Sequence, residues 1–237
     1  MILSKKIQAE WRPRRRFRAL RFDGVDDYVE IPTNVVTRKS FSILFGVKVN
    51  ELGVRVIFDS RDTHYAFGGK GIIFRDSNGD GLYDFIIGDG TNIAGATQKI
   101  DLSDLDTHDV VVSVDFVTMY VFVDGSLVGT YDVSTVANEF GGGSLIKICT
   151  QFDNSRFVSG NIYYLMIWNV ALSDPEIKQL NDNPFNPPRQ DNLVLWLTPG
   201  SIDPVAGKWY DLSQYGNHGT IYGAQVVEEA VREVIVK

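Results

Sequence analysis

One cysteine in 237 residues excludes an internal disulfide, so no covalent staple holds this fold. Cys149 sits in a strand-like apolar run, 145–149, and reads as a small buried side chain rather than a reactive thiol. The three histidines, His64, His108 and His218, fall in loop-like or strand-edge settings and have no nucleophile beside them. Gly141, Gly142 and Gly143 lack the Lys-Ser/Thr that a phosphate-cradling loop requires. Glycoside cleavage needs two carboxylates across a cleft, whereas Asp109 and Asp115 stand isolated in strands and Glu228 and Glu229 lie in the tail. The expectation is a protein without catalytic activity. No apolar run approaches the roughly 18–20 residues of a membrane span. No apolar leader follows Met1 and its neighbouring lysines. These absences point to a virion or extracellular assembly, and otherwise to the cytoplasm.

What is present is enough apolar sequence, 44% of the chain, to build one large core without staples. Charge is divided unevenly. Residues 1–21 carry eight basic side chains against Glu10, a net +7, and the rest carries 15 basic against 29 acidic side chains, a net −14. The chain therefore divides into a basic arm, 1–17, and a domain, 18–237. An arm of this sign on an acidic body suggests a partner: a neighbouring copy, another particle subunit or nucleic acid. Arg12, Arg14, Arg15, Arg16 and Arg18 are the residues expected to meet it, since a planar guanidinium grips carboxylate or phosphate in two places. The plain alternative is a solvated tail.

Hydrophobic period two recurs along the body. In 41–49 the odd positions Phe41, Ile43, Phe45, Val47 and Val49 share one face, which predicts a half-buried strand. Similar runs occupy 54–58, 71–75, 83–87, 145–148, 162–168 and 193–197. In 108–116, Val110, Val112, Val114 and Phe116 point inward, and a short turn at Val117 and Thr118 leads to the next strand. Asp124-Gly125 then makes a tight hairpin. One helix is expected from Ser173, where Ser173 and Glu176 form a capping box, Leu172 and Ile177 a hydrophobic staple, and Asn183-Pro184 a stop. Ile177 and Leu180 would dock it on a sheet edge. The tail from Val226 fits helix or strand. Tyr65, Phe67, Trp209, Tyr215 and Tyr222 lie near loops, where exposed rings stack on sugars or partner proteins.

The sharpest local motif is 76–84, which reads D-x-N-x-D-G-x-x-D. Asp76, Asn78, Asp80 and Asp84 offer side-chain oxygens and Leu82 a carbonyl, in the spacing of a calcium loop. Ile87 stands where the bidentate glutamate of a complete EF-hand belongs. The same residues also suit a polar hairpin tip between two strands. Calcium is thus the one candidate cofactor.

Three segments together resemble the laminin-G-like, concanavalin-A-like lectin-glucanase family. They are LRFDGVDDYVEIP at 20–32, HDVVVSVD with the VDGSLVG hairpin at 108–129, and GNIYYLMIWNVALSDPEI at 160–177. A fourth, LVLW followed by DLSQYGNHGTIYGA at 211–224, normally precedes the first in that family. Here it follows everything else. That order implies a circular permutant whose last strands complete the same sandwich, or a fragment of a tandem repeat, and close termini favour permutation. The resemblance implies an all-β, antiparallel two-sheet jelly-roll-like sandwich with one short helix. It names no substrate. Glucan-cleaving relatives carry an E-x-D-x-x-E strand that this chain lacks. Tyr163 and Tyr164 stand where many members place an acid that supports calcium. The expected role is a structural or interaction subunit of a virion-like particle or surface assembly, and the alternative is a glycan-binding attachment module.

Overall fold

The computed structural model describes residues 16–36, 38–64 and 69–230. Its strands form two antiparallel sheets. The first runs β10 (Ser126–Asp132), β9 (Thr118–Val123), β8 (Thr107–Asp115), β3 (Ser40–Val49), β12 (Ser159–Trp168), β1 (Arg16–Asp23) and β17 (Gln225–Ala230), with β13 (Leu193–Leu197) also on β12. The second runs β14 (Ile202–Asp203), β15 (Lys208–Trp209), β16 (Gly219–Tyr222), β2 (Tyr28–Ile31), β11 (Ile146–Ile148), β4 (Arg55–Asp59), β5 (Lys70–Asp76), β6 (Leu82–Asp89) and β7 (Ile93–Asp101). The inward positions of both sheets meet in one core that holds Leu20, Phe22, Val29, Ile31, Phe45, Phe58 and Phe74. Phe45 touches Phe58 and Phe74 at ring-centre distances of 5.6 and 5.3 Å, the offset geometry that aromatic pairs prefer. Cys149 is buried in the same core, and burial pushes its thiol well above the usual range.

The C-terminal strands complete this sandwich, as permutation requires. β16 pairs with β2, β13 with β12, and β17 with β1 in the register Arg18↔Glu228. The tail thus takes the strand option as far as Ala230. Asp124 and Gly125 both have positive φ, 50° and 74°, as a two-residue hairpin demands.

Several positions differ from expectation. The helix, α1 (Asp174–Asp182), begins at Ser173, where the Glu176 carboxylate accepts the Ser173 N–H at 2.9 Å. It docks on the outer face of the first sheet rather than an edge. There Ile177 and Leu180 pack with Leu44, Val111, Phe122, Met166 and Trp168. That cover explains why β3, read as half-buried, is buried on both faces. A Cβ at Gly46 would stand 2.5 Å from the Tyr164 ring, so glycine leaves room for that ring on β3. Phe116 turns outward with φ 43°, because the β8–β9 turn falls at Phe116-Val117. Trp209 is fully buried in the core rather than exposed near a loop.

Candidate functional site

The 76–84 segment is the β5–β6 hairpin. Asp76 is buried, and its carboxylate accepts the N–H groups of Asn78 at 3.0 Å, Gly79 at 2.6 Å and Gly81 at 2.8 Å. Asp80 accepts the Leu82 N–H at 3.0 Å. Asp84 is opposite Arg75 in the ladder, one position out of phase with the Asp76–Tyr83 pair, so it faces the other side of the sheet. Its carboxylate accepts from Arg75 Nε at 3.3 Å and the Gln98 N–H at 2.7 Å. The structure thus gathers Asp76, Asn78, Asp80 and Leu82 at one tip and sends Asp84 elsewhere. As a calcium cage this set does not fit: Asp76 would have to release three backbone donors and Asp84 to cross the sheet. Among the described residues the carboxylates that cluster closely are Asp23, Asp26 and Asp27, where Asp23 Oδ1 accepts the Val25 N–H at 2.8 Å and Asp27 Oδ2 the Asp23 N–H at 2.9 Å.

Arg12, Arg14, Arg15, Tyr65 and Phe67 lie outside the described residues, and Arg16 enters only through the backbone of β1. Arg18 is half-buried on β1. The histidines differ in setting: His108 lies near the start of β8, and His64 and His218 lie outside strands. His108 bridges two acids, with Nδ1 2.8 Å from Asp124 and Nε2 2.8 Å from Asp104. The bond to Asp124, then that to Asp104, pushes its pKa up to about 9 against burial that works the other way. The folded pKa lies above the unfolded one. The stabilisation is therefore complete below about pH 6.5 and fades as pH rises through about 9. Both aspartates are well exposed, so solvent screening limits the effect to about 1–2 kcal/mol. Burial pushes the adjacent Asp109, which accepts from the Tyr164 hydroxyl, up to about 6, and its own stability change falls in the separate window below that. Denaturant midpoints should thus fall between neutral and alkaline pH, and His108→Gln should flatten that slope. An equally steep slope in the variant would assign it to another group.

The second sheet has an outer face of a different kind. Val29 and Ile31 face the core, so alternation turns Tyr28 and Glu30 outward. Registers Tyr222↔Tyr28, Thr220↔Glu30 and Lys208↔Thr220 carry the same face across β16 and β15. Tyr28 and Tyr222 stack with ring centres 4.4 Å apart at 14°, and Tyr222 is 41% exposed. Lys147 Nζ lies 4.7 Å from the Tyr28 ring centre, 3.2 Å from Glu30 and 2.6 Å from Asn154 Oδ1. Lys208 Nζ donates to Thr220 Oγ1 at 2.7 Å. At the end of β4, Asp59 is gripped by Arg61 of the following loop through two bonds of 2.9 and 2.7 Å and also accepts the Phe152 N–H at 3.2 Å, which fixes the 149–157 loop. The result is a stacked pair in which Tyr28 is flanked by Lys147 on the β11 side and by Tyr222 on the β16 side; Tyr222 is the exposed ring of this plate, with fixed donors and acceptors around it. Of this plate the sequence offered only Tyr222. Tyr28, Glu30, Lys147, Thr220 and Lys208 show themselves only through cross-strand register. The one trace in sequence is the alternation of Tyr28 and Glu30 with Val29 and Ile31.

In the loop between β15 and β16 lies Asp211. It is buried, and its carboxylate accepts the N–H groups of Trp196 at 2.7 Å, Ser213 at 2.9 Å and Asn217 at 2.8 Å, and the Ser213 hydroxyl at 2.7 Å. His218 Nδ1 accepts the Asp211 N–H at 3.0 Å. These bonds fix the 211–218 loop.

Residues 23–178 match the pattern of the concanavalin A-like lectin/glucanases superfamily. No curated protein matches the sequence. Among solved structures, a candidate carbohydrate binding protein from Bacteroides ovatus ATCC 8483 is similar with a TM-score of 0.66 and 17% identity, over 93% of this chain and 61% of that one. The chain therefore spans about three fifths of that protein's length. A heptameric SAP-like pentraxin from Limulus polyphemus is similar with a TM-score of 0.53 and 14% identity, over 73% of this chain and 84% of that one. Domains LG4-5 of the mouse laminin alpha1 chain give 0.51 and 14%, over 66% of this chain and 43% of that one. These likenesses are of fold.

Proposed function

We propose that this chain, which belongs to the concanavalin A-like lectin/glucanases superfamily, is a non-catalytic module that binds glycans on the plate formed by Tyr28 and Tyr222. The stacked pair carries the reading. An exposed ring backed by a second ring offers the flat apolar surface that a sugar ring covers, at little entropic cost. Glu30, Lys147, Asn154 and Thr220 surround it with polar atoms held in place by one another, as hydroxyl recognition requires. The Bacteroides ovatus likeness over 93% of the chain supports a carbohydrate ligand. The non-catalytic part rests on the chemistry at the plate, where Glu30 is tied to Lys147 and Asp59, the next carboxylate in the same cross-strand row, is gripped by Arg61, so each is already held in an ion pair. A particle or surface-assembly role for the basic arm is compatible with this reading and rests on the charge asymmetry of the sequence.

A glycan array followed by calorimetry tests it. The wild type is expected to retain at least one saccharide class without releasing reducing sugar, and Tyr222→Ala to weaken that binding about tenfold. Equal binding by the variant, or sugar release that disappears with one acid, would overturn the reading.

A further inference from the structure

We propose that the ligand is an extended, uncharged oligosaccharide lying along β16, with an aromatic contact at each end. The inference deepens the glycan-binding reading and rests on it. Strand alternation places Tyr222 and Thr220 on the same side of β16, and His218 immediately precedes that strand. At about 3.3 Å per extended residue, the four-residue step from His218 to Tyr222 spans at most about 13 Å. The second end is built like the first. Tyr210, 39% exposed, follows β15 and meets the exposed His218 with ring centres 5.1 Å apart at 81°. Its backbone N–H is bonded to the Ser201 carbonyl at 2.9 Å. Because His218 Nδ1 accepts a backbone N–H, the neutral ring carries its proton on Nε2, and this exposed donor stands beside the Tyr210 ring. The loop that supports it hangs on the four bonds to the buried Asp211 carboxylate, so it is ordered before any ligand arrives.

Between the two ends lie Thr220, Lys208 and Glu30, a run of polar side chains joined by cross-strand register. Its charges balance. Lys147 and Lys208 face Glu30 and Asp203, and each lysine is bonded to a neighbour on the face. The exposed Asp23 and Asp26 lie just before Tyr28 in the chain. Such a surface gives a carboxylated or sulfated sugar no unpaired cation and places acids near its path. A terminal monosaccharide would use one plate and leave the other idle, whereas a chain uses both.

The test is calorimetry with neutral cello-, xylo- and manno-oligosaccharides, from disaccharide to hexasaccharide, and with oligogalacturonides as the charged series. In the neutral series that binds, wild-type affinity should rise with length until the chain spans β16. Tyr210→Ala should erase that gain, about tenfold at the longest lengths, and leave the disaccharide unchanged. Tyr222→Ala should weaken every length. Both side chains are exposed, and matching melting curves confirm that the variants are folded. If Tyr210→Ala has no effect at any length while Tyr222→Ala still weakens binding, the extended site is wrong and the single plate stands. Tighter binding of oligogalacturonides than of every neutral series overturns the uncharged ligand. If neither series binds while the array shows another saccharide class, the extended uncharged site falls and the glycan-binding reading stands; an array with no bound saccharide overturns both.

Discussion

Trp209→Ala is expected to lower the stability of the protein by about 4 kcal/mol, the largest effect of any single change considered. The indole is fully buried, and its Nε1–H donates to the Thr198 carbonyl at 2.8 Å. β15 is only two residues long, so its backbone bonds to Ile202 and Gly219 neighbours cannot hold it alone. The side chain is what seats the strand between β14 and β16. Truncation leaves a cavity and removes one buried hydrogen bond from the Thr198 carbonyl, which keeps its bonds from the Ser201 N–H and hydroxyl, so the cavity is the larger cost. For a chain of this size the melting temperature should fall by roughly 10 °C. Glycan binding at the far end of β16 should also weaken, because Tyr210 and His218 flank the same strand pair. A loss below about 1 kcal/mol would mean that the C-terminal strands are an appendage rather than part of the core.

Trp209 also shows where a linear reading stops. Its neighbours in sequence are Tyr210 and a polar loop, which suggest exposure. Its neighbours in space are Val29, Ile31 and Ile202, which come from elsewhere in the chain. Local signals were legible where one residue pair decides the backbone: Asp124-Gly125, the Ser173–Glu176 box, and the alternating strands. The unusual order of the family segments was legible too, and the pairing of β16 with β2 and of β17 with β1 shows that the last strands complete the same sandwich. The aromatic plate was not. It is assembled from 28–31, 146–148 and 219–222, segments that share no sequence neighbourhood. Alternation gives the face of each residue and register gives its companions, and only the first can be read along one strand. The same limit misplaced α1. Its apolar stripe showed that it docks, while the exposed breadth of the first sheet, which decides where, is a property of five strands at once.

The 76–84 hairpin is the case in which one pattern had two meanings, and Asp76→Ala separates them. The variant is expected to lose about 3 kcal/mol. The carboxylate is buried at the end of β5 and accepts three backbone N–H groups across the turn. Each is a bond to a charged acceptor, worth more than a neutral one, and the turn has no second acceptor positioned to replace it. Gly79 and Gly81 hold positive φ, 81° and 86°, so the tip is shaped to bring those three N–H groups onto one side chain. Asp76→Asn keeps one carbonyl oxygen and should recover about half of the loss. Asp80→Ala, which removes a single exposed bond to the Leu82 N–H, should cost well under about 1 kcal/mol. Melting curves in calcium and in EDTA complete the comparison. If Asp76 serves the backbone, its loss is the same in both. A loss that appears only with calcium would mean that the tip reorganises around the ion, drawing Asp76 away from its donors and Asp84 from Arg75.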